Sequence, residues 1–106
     1  GEGEEPLFIC AMLARELRLL SGLALQISQN TPMERAFAAA RPPVWDKRKP
    51  VLGKALQRHT GKRFNQMLLQ AQQIDAQIKG QARGDPWNSL ARLCLQLAGQ
   101  RLPLEA

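Results

Sequence analysis

GKRFNQMLLQAQQIDAQI, residues 61–78, carries the clearest helical pattern in the chain. Its apolar residues recur every three or four positions, at Phe64, Met67, Leu68, Ala71, Ile74 and Ile78. Uncharged amides occupy the opposite side: Asn65, Gln66, Gln70, Gln72, Gln73 and Gln77. A period near 3.6 residues places the two sets on opposite faces of a helix. The stretch therefore predicts a long amphipathic helix, with Thr60 before it as the N-cap.

Two helices are predicted on the N-terminal side of this stretch. The first opens at Pro6 and has an apolar stripe that widens to more than one side of the helix. The second is short, because TPME offers Thr31 as N-cap and Glu34 as the carboxylate of a capping box. The double proline at 42–43 ends it, since each proline pushes the preceding residue out of the helical region.

Two more helices flank the central stretch. The third runs from about Lys47 or Pro50 to His59, and Pro50 either starts it or kinks it. The fifth has Asp85 as N-cap and ends at Gly99. No segment alternates with a period of two. We therefore predict an all-α fold, a single antiparallel bundle of about five helices.

The composition limits the classes of protein to which the chain can belong. The 106 residues are 44% apolar and 23% charged, which suits one domain with one core. No uncharged apolar run is long enough to span a membrane, and the acidic start is unlike a signal peptide. We expect a cytoplasmic protein with a helical domain at 6–100, between a flexible acidic tail at 1–5 and a C-terminal tail at 101–106. The missing initiator Met leads us to expect a piece of a larger protein.

The sequence offers no catalytic, cofactor-binding or metal-binding motif. Its glycines never form a phosphate-binding loop, and Cys10 and Cys94 lack the spacing of a metal or redox site. His59, the single histidine, lies at a predicted helix end without a nucleophile or carboxylate partner at readable spacing. We predict no catalytic residue, cofactor, metal or small-molecule substrate.

A basic segment extends from residue 41 to residue 63. Its single acid is Asp46, against the bases Arg41, Lys47, Arg48, Lys49, Lys54, Arg58, Lys62 and Arg63. Such a segment attracts phosphates or an acidic partner, and a solvated surface is an equally good interpretation. Within VWDKRKP, residues 44–50, we expect Trp45 to be a structural anchor on the bundle. Phe64 and Trp87 are predicted to anchor their own helices in the same way.

Two classes of function remain open: a nucleic-acid-binding module acting through the basic segment, and an assembly domain whose helix faces pack on other subunits. The basic segment lacks the interleaved aromatics of a stacking platform, and no helix-turn-helix emerges. The first helix has more apolar surface than one small bundle needs, and the amide face of the central helix can exchange hydrogen bonds with another helix. Assembly is therefore favoured.

Four motifs in a fixed order carry a resemblance to a known family: LARELRLL (13–20), VWDKRKP (44–50), IDAQIKG (74–80) and DPW (85–87). They resemble the C-terminal domain of the delta subunit of the bacterial DNA polymerase III clamp loader, over about residues 6–99. The resemblance implies a non-catalytic collar domain that helps to hold the pentameric loader together while it opens the sliding clamp and loads it on primed DNA.

The resemblance also implies the partners. These are the other clamp-loader subunits, and the sliding clamp only through an N-terminal region absent from this chain. The resemblance places ATP hydrolysis in other domains and subunits. The holoenzyme to which the subunit would belong is a DNA-directed DNA polymerase. DNA is bound at most weakly, and no membrane is involved. The loop KGQARGDP, 79–86, could approach the primer-template junction below the collar. The predicted partner or DNA contacts are Arg41, Lys47, Arg48, Lys49, Lys79 and Arg83.

Overall fold

Five α-helices make up most of residues 4–100, the part of the chain that this computed structural model describes. They are α1 (Glu4–Ser28), α2 (Met33–Ala39), α3 (Lys49–Arg58), α4 (Gly61–Ile78) and α5 (Pro86–Leu97). A 3-10 turn, Asp46–Arg48, leads into α3. Residues 4–100 contain no strand, so the predicted all-α fold is confirmed.

The bounds of the helices refine the predicted domain limits. α1 begins at Glu4, so the last two residues assigned to the acidic tail are helical. The rest of that tail, and the C-terminal tail at 101–106, lie outside the described residues. Pro50 lies in the first turn of α3. It therefore starts this helix and does not kink it, because a missing amide hydrogen costs nothing in a first turn.

α1 and α4 form the centre of the bundle and run antiparallel. Near the start of α1, the Cys10 thiol donates a hydrogen bond to the carbonyl of Ala71 (3.2 Å), late in α4. Further along α1, the Ser21 hydroxyl donates to Asn65 Oδ1 (2.7 Å), early in α4. α5 returns along α4, and the short helices α2 and α3 pack on α1. The short connection from α4 to α5 explains why these two successive helices are antiparallel, whereas α1 and α4 are brought together through α2 and α3.

A single apolar core lies between these helices. The stripe that predicted α4 supplies Phe64, Met67, Ala71 and Ile74 to it. The largest side chains that are fully buried are Phe37, Phe64, Leu17, Leu20, Leu23, Met67 and Leu93. Within residues 4–100 no polar or charged residue is classed as buried. Apolar burial is therefore the main favourable term for this bundle.

The two tryptophans are not buried anchors. Trp45 is 75% exposed and Trp87 is 49% exposed, so the prediction that they anchor their segments in the core is wrong. Phe64 is fully buried, as predicted. Val44 anchors the segment after the double proline, because its side chain is buried and its amide donates to the carbonyl of Phe37 (3.1 Å). Trp45 follows it in extended chain, where successive side chains point to opposite sides.

The predicted N-caps are confirmed for α4 and α5 and wrong for α2. Thr60 accepts a hydrogen bond from the backbone three residues on, and Asp85 from the backbone two residues on, both at 3.1 Å. α2 instead has Pro32 as N-cap, without a side-chain hydrogen bond. The amide of Thr31 donates to Gln26 (3.0 Å). Thr31 therefore belongs to the turn that ends α1, whose Asn30 has a φ of 70°.

Replacing Thr60 by Ala is expected to lower the free energy of unfolding by about 1 kcal/mol, because an amide at the start of α4 loses its acceptor. Thr31→Ala is the matched control, since this side chain caps no helix. Its expected change is below about 0.5 kcal/mol. Urea denaturation followed by far-ultraviolet circular dichroism measures both variants. Equal losses in the two would contradict the assignment of Thr60 as a stabilising cap.

Candidate functional site

A basic groove lies between α1 and the chain that leads into α3. Its volume is about 710 Å³. α1 contributes Arg15, Glu16, Arg18 and Leu19, and the segment at 41–48 contributes Arg41, Pro42, Pro43, Val44, Trp45, Lys47 and Arg48. Three predicted contact residues therefore meet here. Arg15 and Arg18, which sequence analysis did not single out as contacts, join them from a helix about thirty positions away in the chain.

The cations of this groove differ in how they are held. Arg48 forms an ion pair with Glu16, and Arg41 donates to backbone carbonyls at the end of α2. Arg15, Arg18 and Lys47 form no ion pair or side-chain hydrogen bond with any residue between 4 and 100. Three positive charges beside an exposed indole therefore lack a counter-charge within the described chain. Such a groove attracts anionic groups.

Lys49 is held by the domain itself and does not line the groove. Its Nζ lies 2.9 Å from Asp46 Oδ1 and 3.1 Å from Glu34 Oε2. The hydrogen bond to Asp46, and next the one to Glu34, raise the pKa of the Lys49 amine. Glu34 was predicted to close a capping box, and it joins α2 to the start of α3 instead. A contact from Lys49 to a partner stays a prediction.

Lys79 and Arg83 lie in the connection between α4 and α5 and do not line the basic groove. Lys79 pairs with Asp75 one turn earlier (2.9 Å). The side-chain amide of Gln77 donates to the carbonyl of Arg83 (3.1 Å), which fixes the loop. Gly84 turns the chain with a φ of 124°, a conformation that other residues rarely adopt. The two loop cations are therefore separate from the groove, and their role as contacts stays a prediction.

A second candidate surface is apolar and lies on α1 and α4. Leu25 of α1 and Leu69 of α4 line one groove there and are 58% and 64% exposed. Leu7, Phe8 and Met12 of α1 are exposed as well, but Phe8 and Met12 lie roughly 100° or more around the helix from Leu7 and Leu25 and so belong to another side of it. Exposed apolar residues that cluster on one face of a helical domain are typical of protein interaction sites.

The side chains of Cys10 and His59 each contact a backbone carbonyl of another helix. Burial, and then the negative charge of Asp75, raise the pKa of the Cys10 thiol, which therefore stays protonated as a donor to Ala71. His59 Nε2 lies 3.0 Å from the carbonyl of Leu97, and its ring meets Phe64 edge-on. His59 thus joins the end of α3 to the end of α5.

Two further properties hold for residues 4–100. No three His, Cys, Asp or Glu side chains come together as metal ligands in this part of the chain. None of its helices combines the length and apolarity that a membrane crossing needs.

Comparison with known proteins identifies the family. A family model described as "Processivity clamp loader gamma complex DNA pol III C-term" matches residues 1–104. The chain belongs to this clamp-loader C-terminal family. Its relatives include DNA polymerase III subunit delta of Escherichia coli (strain K12), which is 32% identical over 101 residues. The resemblance read from the four motifs is confirmed.

The alignment with the delta subunit covers 95% of this chain and 29% of the relative. This clamp-loader C-terminal domain therefore spans less than a third of the relative's length. No solved structure matches the chain significantly.

Proposed function

We propose that the chain is a non-catalytic collar domain of a clamp-loader delta subunit. It holds the loader together by packing against neighbouring subunits, so that the loader can open the sliding clamp and load it on primed DNA. The observation that carries this proposal is the family match over residues 1–104. A delta-subunit relative that covers 95% of the chain supports it.

The apolar surface on α1 and α4 supports an assembly role. Leu25 and Leu69 are each more than half exposed, although they lie on the two helices that form the centre of the bundle. Burying a fully exposed Leu or Phe side chain stabilises an interface by about 1.5 to 3 kcal/mol. Burial of such residues at an interface would therefore offset part of the free-energy cost of association.

The enzymatic activities of the loader and the polymerase do not belong to this domain. Nucleotide hydrolysis and polymerisation belong to other domains and subunits, and contact with the sliding clamp belongs to a region outside this chain. The domain works in the bacterial cytoplasm, where the replicating DNA lies.

Mixing the chain with the collar regions of its partner subunits is expected to give a defined complex of larger mass. Size-exclusion chromatography with light scattering measures this assembly. The chain alone is expected to hydrolyse no ATP. Inertness towards every partner would contradict the collar function.

A specific observation favours a second function, contact with single-stranded nucleic acid. The basic groove is lined by the 75% exposed indole of Trp45 together with arginine and lysine side chains. An exposed aromatic ring can stack on a base while nearby cations meet the phosphates. The proposed DNA-binding site is therefore this one groove and not the whole segment 41–63. In this second function the domain stays structural and makes the nucleic-acid contact in addition.

A further inference from the structure

α1 and α4 share an outward face with a regular repeat. On α1 it comprises positions 7, 11, 14, 18, 21, 25 and 28, and on α4 positions 62, 65, 69, 72 and 76. Steps of three and four alternate along both helices. Positions spaced in this way lie along one side of a helix, and this side of the α1/α4 pair is called the seam below. None of these side chains is buried in the domain, so the seam has no cover in residues 4–100.

Two grooves follow one another along this seam. One lies between Ala11, Ala14 and Arg18 of α1 and Gln72 and Asp75 of α4. The next lies further along both helices and is lined by Ser21, Ala24, Leu25, Ser28, Gly61, Lys62, Asn65, Gln66 and Leu69. From position 11 to position 28 they extend about 25 Å along α1, at 1.5 Å per residue. The combined length suits one helix of about seventeen residues.

The floor of the grooves is formed by small side chains. A Cβ atom on Gly61 would lie 3.5 Å from the Cβ of Ala24, which shows how closely the two helices approach at this end. The Ser21 hydroxyl donates to Asn65 across the same interval. Leu25 and Leu69 flank the floor and are 58% and 64% exposed. This shape accepts a ridge of side chains from a third helix.

The charges beside the grooves define the chemistry of the occupant. Arg15, Arg18 and Lys62 form no ion pair with any residue between 4 and 100, while the one lining acid, Asp75, is paired with Lys79. No aromatic side chain lines either groove, so a nucleic acid would find no stacking surface here. The exposed leucines and unpaired cations together fit an apolar stripe flanked by acidic residues.

We propose that a helix of a neighbouring clamp-loader subunit packs along this α1/α4 face. Its apolar stripe lies on the seam between Leu25 and Leu69, and its Asp or Glu residues lie beside Arg15, Arg18 and Lys62. This inference rests on the proposed collar function and names the surface through which the domain performs it.

The test uses the complex of this chain with its partner subunits. Leu25→Glu and Leu69→Glu are each expected to weaken assembly at least tenfold, measured by titration of a labelled partner. Val51→Glu is the matched control, because Val51 is also a largely exposed apolar residue but lines neither groove. Its effect is expected to stay below twofold. Lys62→Glu is expected to weaken assembly several-fold. This loss should become smaller as the salt concentration is raised, because salt screens the interaction between exposed charges.

A second measurement does not depend on these variants. On a Cys94→Ser background, Leu25→Cys introduces an accessible thiol while Cys10 stays buried. Alkylation of residue 25 is expected to slow at least tenfold in the complex. Unchanged alkylation in a complex that forms normally would overturn the proposal and leave the collar function standing. The absence of any complex with the unaltered chain would overturn both.

The rate of alkylation at residue 25 also distinguishes two other occupants of the face, a second copy of the chain and another segment of the delta subunit. Protection of residue 25 in the isolated chain that rises with its concentration would assign the face to a second copy. Protection in the full-length delta subunit alone would assign it to another segment of that subunit. Either outcome would overturn the proposal.

Discussion

Replacing Phe64 by Ala is expected to lower the free energy of unfolding by about 3 to 5 kcal/mol. The ring is fully buried in the core that α4 forms with α1, and it is inclined at 71° to the imidazole of His59 in an edge contact. Truncation removes apolar contacts and leaves a cavity that the surrounding helices fill only in part. Since a domain of this size has a total stability of about 5 to 15 kcal/mol, much of it would be lost.

Phe8→Ala is the matched control for this prediction. It makes the same chemical change on α1, but Phe8 is 66% exposed, so the expected loss is below about 1 kcal/mol. Equilibrium urea denaturation of both variants measures the difference. A loss for Phe64→Ala no greater than that for Phe8→Ala would contradict the position of the core.

The fold could be predicted because its evidence is local. The stripe that contains Phe64 and Met67 lies within one helix, and Thr60 and Asp85 cap helices that begin directly after them. Thr31 shows the limit of such reasoning. The same threonine can cap the following helix or end the preceding one, and a backbone hydrogen bond to Gln26 decides for the second.

The site was less predictable because it depends on contacts between distant segments. The sequence shows that Trp45 follows two prolines, and a large apolar residue is usually buried. Val44, however, occupies the place against the core and is tied to Phe37 by a backbone hydrogen bond. Arg15 and Arg18 are spaced one helical turn apart, which indicates a common side of α1. Only the packing of the segment at 41–48 on that side shows that they complete a groove.

Trp45→Ala is expected to separate binding from stability. The free energy of unfolding should change by less than about 0.5 kcal/mol, because the side chain is 75% exposed. Affinity for a short single-stranded oligonucleotide should fall by about 5- to 150-fold, since stacking of one base on an aromatic ring contributes about 1 to 3 kcal/mol. Thermal unfolding and fluorescence anisotropy with a labelled oligonucleotide measure the two quantities.

The controls use the second tryptophan and a second aromatic ring. Trp87→Ala removes an indole that is also exposed but does not line the groove, so it should leave oligonucleotide affinity unchanged. Trp45→Phe keeps a ring that can stack and should retain most of the affinity. If Trp45→Ala and Trp87→Ala weaken binding equally, the groove is not the binding site.

The salt dependence tests the cations of the groove independently of the ring. Each phosphate neutralised on a single strand contributes about −0.7 to the slope of log K against log salt concentration. Arg15, Arg18 and Lys47 are without a counter-charge within the described residues, so engagement of all three predicts a slope near −2. Lys47→Gln should reduce its magnitude by about 0.7. Lys47→Gln could also leave the slope unchanged while the affinity still depends on Trp45. This result would mean that the ring stacks on a base but the phosphates do not reach these cations. The domain would then contact a single exposed base and would not bind along the strand.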